Sequence, residues 1–291
     1  AFGAMLAAIA FSLASGLVPH QGFDALFAAG TPVLEPLAGK RALVTGASSG
    51  IGKAVACALA AAGCDLVLVA RREDRLLELK AEIEKRTSIE TTVVTGDVTT
   101  DALYTALRDC GGLDVDICIA NAGGALGTAR VGEADSEDWQ RMLASNCYGA
   151  FRTVNEVLPA MFRQGSGHIV TIGSIAGFES YEGGAVYCAS KAAVHAFTKS
   201  LRYETYDKGV KVSLVAPGFV GEGTEFARVR FKGDEERAAA VYDGWEELRA
   251  SDIAAQIVWA LRQPKHVNVD LVHVMPAVQG GVNRIFRQNK K

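Results

Sequence analysis

Seven short runs rich in β-branched and other apolar residues recur along the chain, each separated from the next by a longer polar or helical stretch. They predict strands at Arg41 to Thr45, Asp65 to Ala70, Thr91 to Thr95, Val115 to Ala120, His168 to Ile172, Val210 to Val215 and Val267 to Val274. Most are apolar almost without interruption, the texture of strands covered on both faces. Between them, Gly52 to Ala62, Asp135 to Arg163 and Gly184 to Tyr206 are amphipathic at helical spacing. Strand-helix alternation of this kind needs right-handed crossovers and gives a parallel sheet with helices on both sides. The expected class is α/β, a doubly wound parallel sheet in a single domain over residues 37–291, carrying an N-terminal extension over residues 1–36.

The first predicted strand runs directly into Thr45-Gly46-Ala47-Ser48-Ser49-Gly50-Ile51-Gly52. Glycines in a strand-to-helix turn let the backbone bend tightly and approach a pyrophosphate, which the N–H groups and dipole of the helix start attract. Gly46, Ser48, Ser49, Gly50, Ile51 and Gly52 are therefore candidates for a dinucleotide cradle, in GxxxGxG spacing. At the end of the second strand an acidic residue would bind the 2′-hydroxyl of NAD and repel a 2′-phosphate. This chain has Ala70-Arg71-Arg72 there, and Asp65 sits at the wrong end of the strand. Two guanidinium groups suit a phosphate, so the expected cofactor is NADP, with Arg71 the principal contact and Arg72 beside it. The plainer alternative makes both arginines solvated charges at a helix entry.

Tyr187 and Lys191 stand four apart on a predicted helix, so both face one way. An ammonium beside a phenol favours tyrosinate and lowers the phenol pKa, suiting it to exchange a proton with a carbonyl or hydroxyl oxygen. Ser174, after the fifth strand, is placed to donate a hydrogen bond to that oxygen. Asn146 lies inside a helical pattern, where asparagine is a poor choice for stability, which suggests that its amide is used.

In order along the chain, TGxxxGxG, Asp97, Asn121-Ala122-Gly123, Asn146, Ser174, Tyr187-Cys188-Ala189-Ser190-Lys191 and Pro217-Gly218 resemble the motifs of the classical short-chain dehydrogenase/reductase family. The resemblance covers about Leu37 to the C-terminus. It implies a Rossmann fold, a catalytic set of Asn146, Ser174, Tyr187 and Lys191, and hydride transfer between NADP and a hydroxyl or carbonyl carbon. It also implies that Asp97 and Val98 flank the adenine, that Asn121, Ala122 and Gly123 line the cofactor path with Pro217 and Gly218, and that Tyr187 and Lys191 contact the cofactor. Lys191 would hold the nicotinamide ribose, and Asn146 would support a water relay to it. The segments Gly221 to Asp234, Gln263 to Val269 and Val274 to Pro276 are similar to the branch of NADP-dependent serine and 3-hydroxy acid dehydrogenases. Those enzymes are homotetramers acting on small 3-hydroxy and 3-oxo acids. Arg228, Arg230 and Lys232 in the first of these segments are candidates to meet a substrate carboxylate.

The chain of 291 residues is 22% charged with a net charge of -3, so no basic field exists to hold nucleic acid or anionic lipid. The basic end, 288–291, is too short to change that. Six cysteines without a CxxC pair read as buried thiols of a reducing compartment, and the histidines lack metal-ligand spacing. One stretch departs from the family. Ala1 to Val18 has no charge, and a helix of that length would rise roughly 27 Å, near the thickness of a bilayer core. A membrane span, a targeting peptide and a helix docked on a partner protein all fit. Membrane association is the expectation and a cytoplasmic location the alternative. With the extension in view, an active reductase competes with a reductase-fold accessory subunit of a membrane assembly that holds NADPH structurally.

Overall fold

The computed structural model describes residues 34–287. The charge-free segment 1–18, most of the connector after it and the basic end 288–291 lie outside the described residues. Among the described residues no helix is long and apolar enough to cross a membrane.

Seven parallel strands form one sheet: β1 (Arg41–Thr45), β2 (Asp65–Ala70), β3 (Thr91–Thr95), β4 (Ile117–Ala120), β5 (Gly167–Ile172), β6 (Val210–Pro217) and β7 (Leu271–Val274). Their order is β3-β2-β1-β4-β5-β6-β7, so the direction of winding reverses between β1 and β4. Helices in chain order are α1 (Gly50–Ala61), α2 (Glu73–Arg86), α3 (Asp101–Asp109), α4 (Ser136–Leu143), α5 (Ala150–Gln164), α6 (Ala185–Thr205), α7 (Phe226–Arg230), α8 (Glu235–Ala240) and α9 (Ala250–Leu261).

The two faces of the sheet are sorted by the two-residue period of its strands. Val44, Leu66, Leu68, Ile119 and Val215 point to one side, against Val55 and Leu59 of α1, Leu76 and Leu79 of α2, and Ile253 and Ile257 of α9. Leu43, Val67, Val69, Cys118 and Val212 point to the other, against Leu103 and Leu107 of α3, Val154 and Val157 of α5, and Leu201 of α6. Both faces are thus dry over the central strands, which is why those sequences are continuous in apolarity, while β7 at the edge is exposed at Leu271 and His273.

Some boundaries differ from the sequence expectation. β4 begins only at Ile117; just before it, the Asp116 carboxylate accepts the Arg41 N–H at 2.9 Å while the Asp116 N–H donates to the Arg41 carbonyl at 2.9 Å. β7 is confined to Leu271–Val274, since Asn268 pairs with both backbone groups of Val212 through its side-chain amide, at 2.8 and 2.9 Å. The long helical pattern from Asp135 to Arg163 is α4 and α5 joined through a π-helical turn, Ala144–Gly149. The six cysteines are unpaired thiols, but only Cys64, Cys118 and Cys188 are buried; Cys57 and Cys147 are half-buried, and Cys110 is exposed where α3 ends.

Candidate active site

The carboxyl ends of the strands open onto a cleft of about 620 Å³ at the β1/β4 reversal, where doubly wound sheets bind ligands. Of the residues nominated from sequence, all line this cleft except Gly52 and Asn146, which stand behind its wall, and Arg228 and Lys232, which lie outside it; Arg230 is part of the lining.

The glycine turn has the shape its spacing predicts. Gly46 and Gly50 take φ of 68° and 58°, and a Cβ on Gly52 would lie 2.3 Å from the Gly46 carbonyl oxygen. Gly52 is therefore what lets α1 start hard against the strand exit. Ser49 is the extended N-cap of α1, yet its side chain makes no bond to the helix's first N–H groups. The first turn of α1 also carries no acidic residue. An uncapped helix start beside side-chain-free glycines fits a pyrophosphate. Across the turn, the Thr45 hydroxyl accepts from the N–H groups of Asn121 and Ala122 at 3.0 and 3.1 Å, and the Asn121 amide donates to the Thr45 carbonyl at 2.9 Å.

The two arginines part company. By sequence Arg71 is the principal phosphate contact; in the structure it is 75% exposed and lies 3.8 Å from Asp97. Arg72 instead reaches over the glycine turn, donating to Ser49 Oγ at 2.8 Å, to Ser48 Oγ at 3.1 Å and to Glu225 at 2.7 Å. That hydrogen bond from Arg72 holds the Glu225 carboxyl below its usual range. Two serine hydroxyls and a guanidinium thus converge where the second strand ends. Glu225 has no local sequence signal, because it sits 153 residues from its partner. Asp97 is turned by Thr99, whose N–H and hydroxyl bond its carboxylate, and Val98 is buried against Gly149.

Ser174, Tyr187, Lys191 and Asn146 are all buried. The π turn directs the Asn146 amide inward. Its Oδ1 accepts from the Gly124 N–H at 2.7 Å, while Nδ2 donates to the Gly124 carbonyl and to Ser190 Oγ, both at 2.9 Å. The amide is used, as its position in a helix suggests, but to clamp the loop after β4. Gly123 is shaped by the same contact: a Cβ there would lie 2.4 Å from Asn146 Oδ1. Pro217 and Gly218 end β6, with Gly218 held by its N–H to the Val274 carbonyl at 2.7 Å.

The electrostatics of Tyr187 differ from the sequence expectation. Burial raises its pKa well above the ordinary tyrosine value, and a hydrogen bond with Ser174 only partly opposes this. The Lys191 ammonium lies 5.9 Å from the Tyr187 ring centre, but it is spent on the Ile172 carbonyl at 2.9 Å. Burial also brings Lys191 down to about 8. Desolvation therefore dominates at Tyr187, and at neutral pH the phenol stays protonated. Ser174 Oγ accepts from the Ala176 N–H at 3.1 Å, leaving its own proton for an oxygen in the cleft.

Sequence reasoning missed His195, although it lies one turn beyond Lys191 on the same face of α6. The Ser174 N–H donates to His195 Nε2 at 3.4 Å, and Cβ atoms on Gly173 or Gly177 would come within 2.4 and 2.3 Å of the ring. Burial, aided by Lys191, lowers its pKa to about 4, so a neutral imidazole supports the serine turn.

The model of the short chain dehydrogenase family matches residues 40–234. The NADP-dependent 3-hydroxy acid dehydrogenase of Schizosaccharomyces pombe is 38% identical over 262 residues, spanning 87% of this chain and 98% of its own length. The NADP-dependent 3-hydroxy acid dehydrogenase YdfG of Escherichia coli K12 is 36% identical over 248 residues, with 84% and 99% covered. A closed serine dehydrogenase solved with NADP+ superimposes with a TM-score of 0.78 at 35% identity, over 85% of this chain and 100% of that one.

Proposed function

This chain belongs to the short-chain dehydrogenase family and is an NADP-dependent oxidoreductase acting on CH–OH groups, and on that premise we propose that it interconverts small 3-hydroxy and 3-oxo acids. The observation that carries this reading is the convergence of Tyr187, Ser174 and Lys191 on the cleft that also holds the glycine turn and Arg72. NADP supplies the hydride acceptor, and its reduced form the donor. The chain supplies the rest. The Tyr187 phenol passes its proton to the carbonyl oxygen, which becomes the product hydroxyl. Ser174 Oγ–H steadies the charge that gathers on that oxygen before the proton arrives. Lys191, tied to the end of β5, is positioned for the ribose, and Asn146 keeps the Gly123-Gly124 loop in register with it. Arg72, with Ser48 and Ser49, selects the 2′-phosphate, with Arg71 in support.

The homotetramer implied by the resemblance belongs to the same proposal. Leu143, Tyr148 and Phe162, exposed along α4 to α5, offer apolar surface for such an assembly, and light scattering measures it.

Assaying the purified chain with NADPH and NADH against a panel of 3-oxo acids, neutral ketones and aldehydes tests the function. The expected result is NADPH-dependent reduction of small 3-oxo acids, with 3-hydroxy acids oxidised in reverse. Tight NADPH binding without turnover of any panel member would reject it in favour of a structural nucleotide.

A further inference from the structure

We propose that Arg230 recognises the substrate carboxylate and so selects acids over neutral carbonyl compounds. This rests on the 3-hydroxy acid reading above. Three cations crowd the segment after β6, and two have acidic partners. Arg228 lies 3.0 Å from Glu225 and 3.9 Å from Glu235; Lys232 lies 2.7 Å from Asp138 and 3.9 Å from Asp135. Both are more than half exposed. Arg230 is partly buried and has no acidic partner among the described residues. One of its Nη atoms donates to the Tyr181 hydroxyl at 2.8 Å, while Nε is buried with no hydrogen-bond partner.

Its place in the cleft matches that vacancy in charge. The guanidinium carbon lies 6.0 Å from the Tyr187 ring centre and 5.2 Å from that of Tyr181. Phe226 closes on Tyr187 from the same helix, at 5.7 Å between ring centres. A cation walled by aromatic rings is partly desolvated, so an anion meeting it gains more than one meeting an exposed charge. In a 3-hydroxy or 3-oxo acid the carboxylate is one carbon removed from the reacting carbon. With the reacting oxygen at Tyr187, a carboxylate that near has the Arg230 guanidinium, 6.0 Å from the ring centre, within reach. The Arg230 carbonyl accepts the Gly127 N–H at 2.8 Å, which ties α7 to the loop after β4 and fixes the cation relative to the site.

The competing role is a clamp that uses Arg230 only to hold Tyr181. Steady-state kinetics on R230Q, R230K and Y181F separate the two, using the 3-oxo acid turned over fastest in the panel above and its own methyl ester. The ester keeps the reacting carbonyl and removes the charge. In R230Q the acid-to-ester ratio of kcat/KM falls by about tenfold or more, chiefly through KM for the acid, as loss of a charge-assisted pair predicts. R230K keeps the charge without the two-pronged geometry and lowers the ratio less. Y181F breaks the clamp but leaves the guanidinium, and keeps the wild-type ratio. NADPH affinity reports whether each variant is folded. An unchanged ratio in both arginine variants overturns the assignment, as does a Y181F ratio that falls as far as that of R230Q. A wild type that reduces neutral ketones but no 3-oxo acid rejects the substrate class itself, which is a distinct result.

Discussion

The Asn146 amide donates to the Ser190 hydroxyl at 2.9 Å, and that hydroxyl in turn donates to the Tyr187 carbonyl at 2.8 Å. A loop after β4, a π turn and the first turns of α6 are thereby joined through two side chains. The Gly123-Gly124 loop and Tyr187 are set relative to one another by hydrogen bonds, of which those through Ser190 are buried. That rigidity costs helical regularity at Asn146, and the amide's three bonds offset it.

Asn146→Ala should therefore cost about 1–3 kcal/mol of stability, because Ser190 loses its donor in a buried setting and both backbone groups of Gly124 lose a partner. The NADPH dissociation constant should rise with it as the loop loosens. Ser190→Ala, which removes one arm of the bridge, should do less. Urea unfolding and nucleotide fluorescence titration measure both effects; an N146A protein as stable as wild type removes Asn146 from this post.

Tyr187→Phe keeps the ring packed against Phe226 and deletes the transferable proton. NADPH should still bind, while kcat falls by about 10²–10⁴-fold, the usual share of a general acid. Retention of more than about a tenth of the wild-type rate in the panel assay would refute the role given to Tyr187.

Arg72→Ala and Arg71→Ala should separate. Arg72 is already organised by Ser48, Ser49 and Glu225, so its loss should shift the NADPH-to-NADH affinity ratio by about tenfold or more. Arg71, exposed beside Asp97, should shift it less. Equal losses for both cofactors in either variant would mean support of the fold rather than phosphate recognition.

Acid should destabilise the chain before its carboxylates titrate. Burial lowers His168 to about 3 and His195 to about 4, from 6.5 in the unfolded chain. Between pH 6.5 and about 4 the unfolded chain binds protons at both positions and the native chain does not, so stability falls as pH falls. His168, whose Nδ1 has no partner and whose Nε2 meets Ser213 at 2.8 Å, carries the larger share. Denaturant midpoints across this window should decline in wild type and decline less steeply in His168→Asn. A flat profile in wild type would show that the imidazoles ionise in place.

A chain beginning at Leu37 should fold, bind NADPH and reduce the same substrates, because the predicted domain starts there and its first strand at Arg41. Circular dichroism and the panel assay check this. Failure of the shortened chain to fold would assign residues 1–36 to the reductase core.

The alternation of buried strands and amphipathic helices, the glycine turn and the Tyr187-Lys191 pair are all legible in the sequence, because each depends on neighbours within one or two turns. Continuous apolarity reports a sheet dry on both faces, and GxxxGxG reports a turn that a side chain would block. Other features belong to the tertiary structure alone. Arg72 rather than Arg71 commands the glycine turn because Glu225, 153 residues away, is brought to it by the loop after β6. His195 matters because two distant glycines make room for its ring. The phenol pKa of Tyr187 is raised because burial, a property of the whole packing, outweighs the Ser174 hydrogen bond and the Arg230 charge that oppose it. Of three neighbouring cations after β6, only the fold decides which two find carboxylates and which one is left facing the cleft.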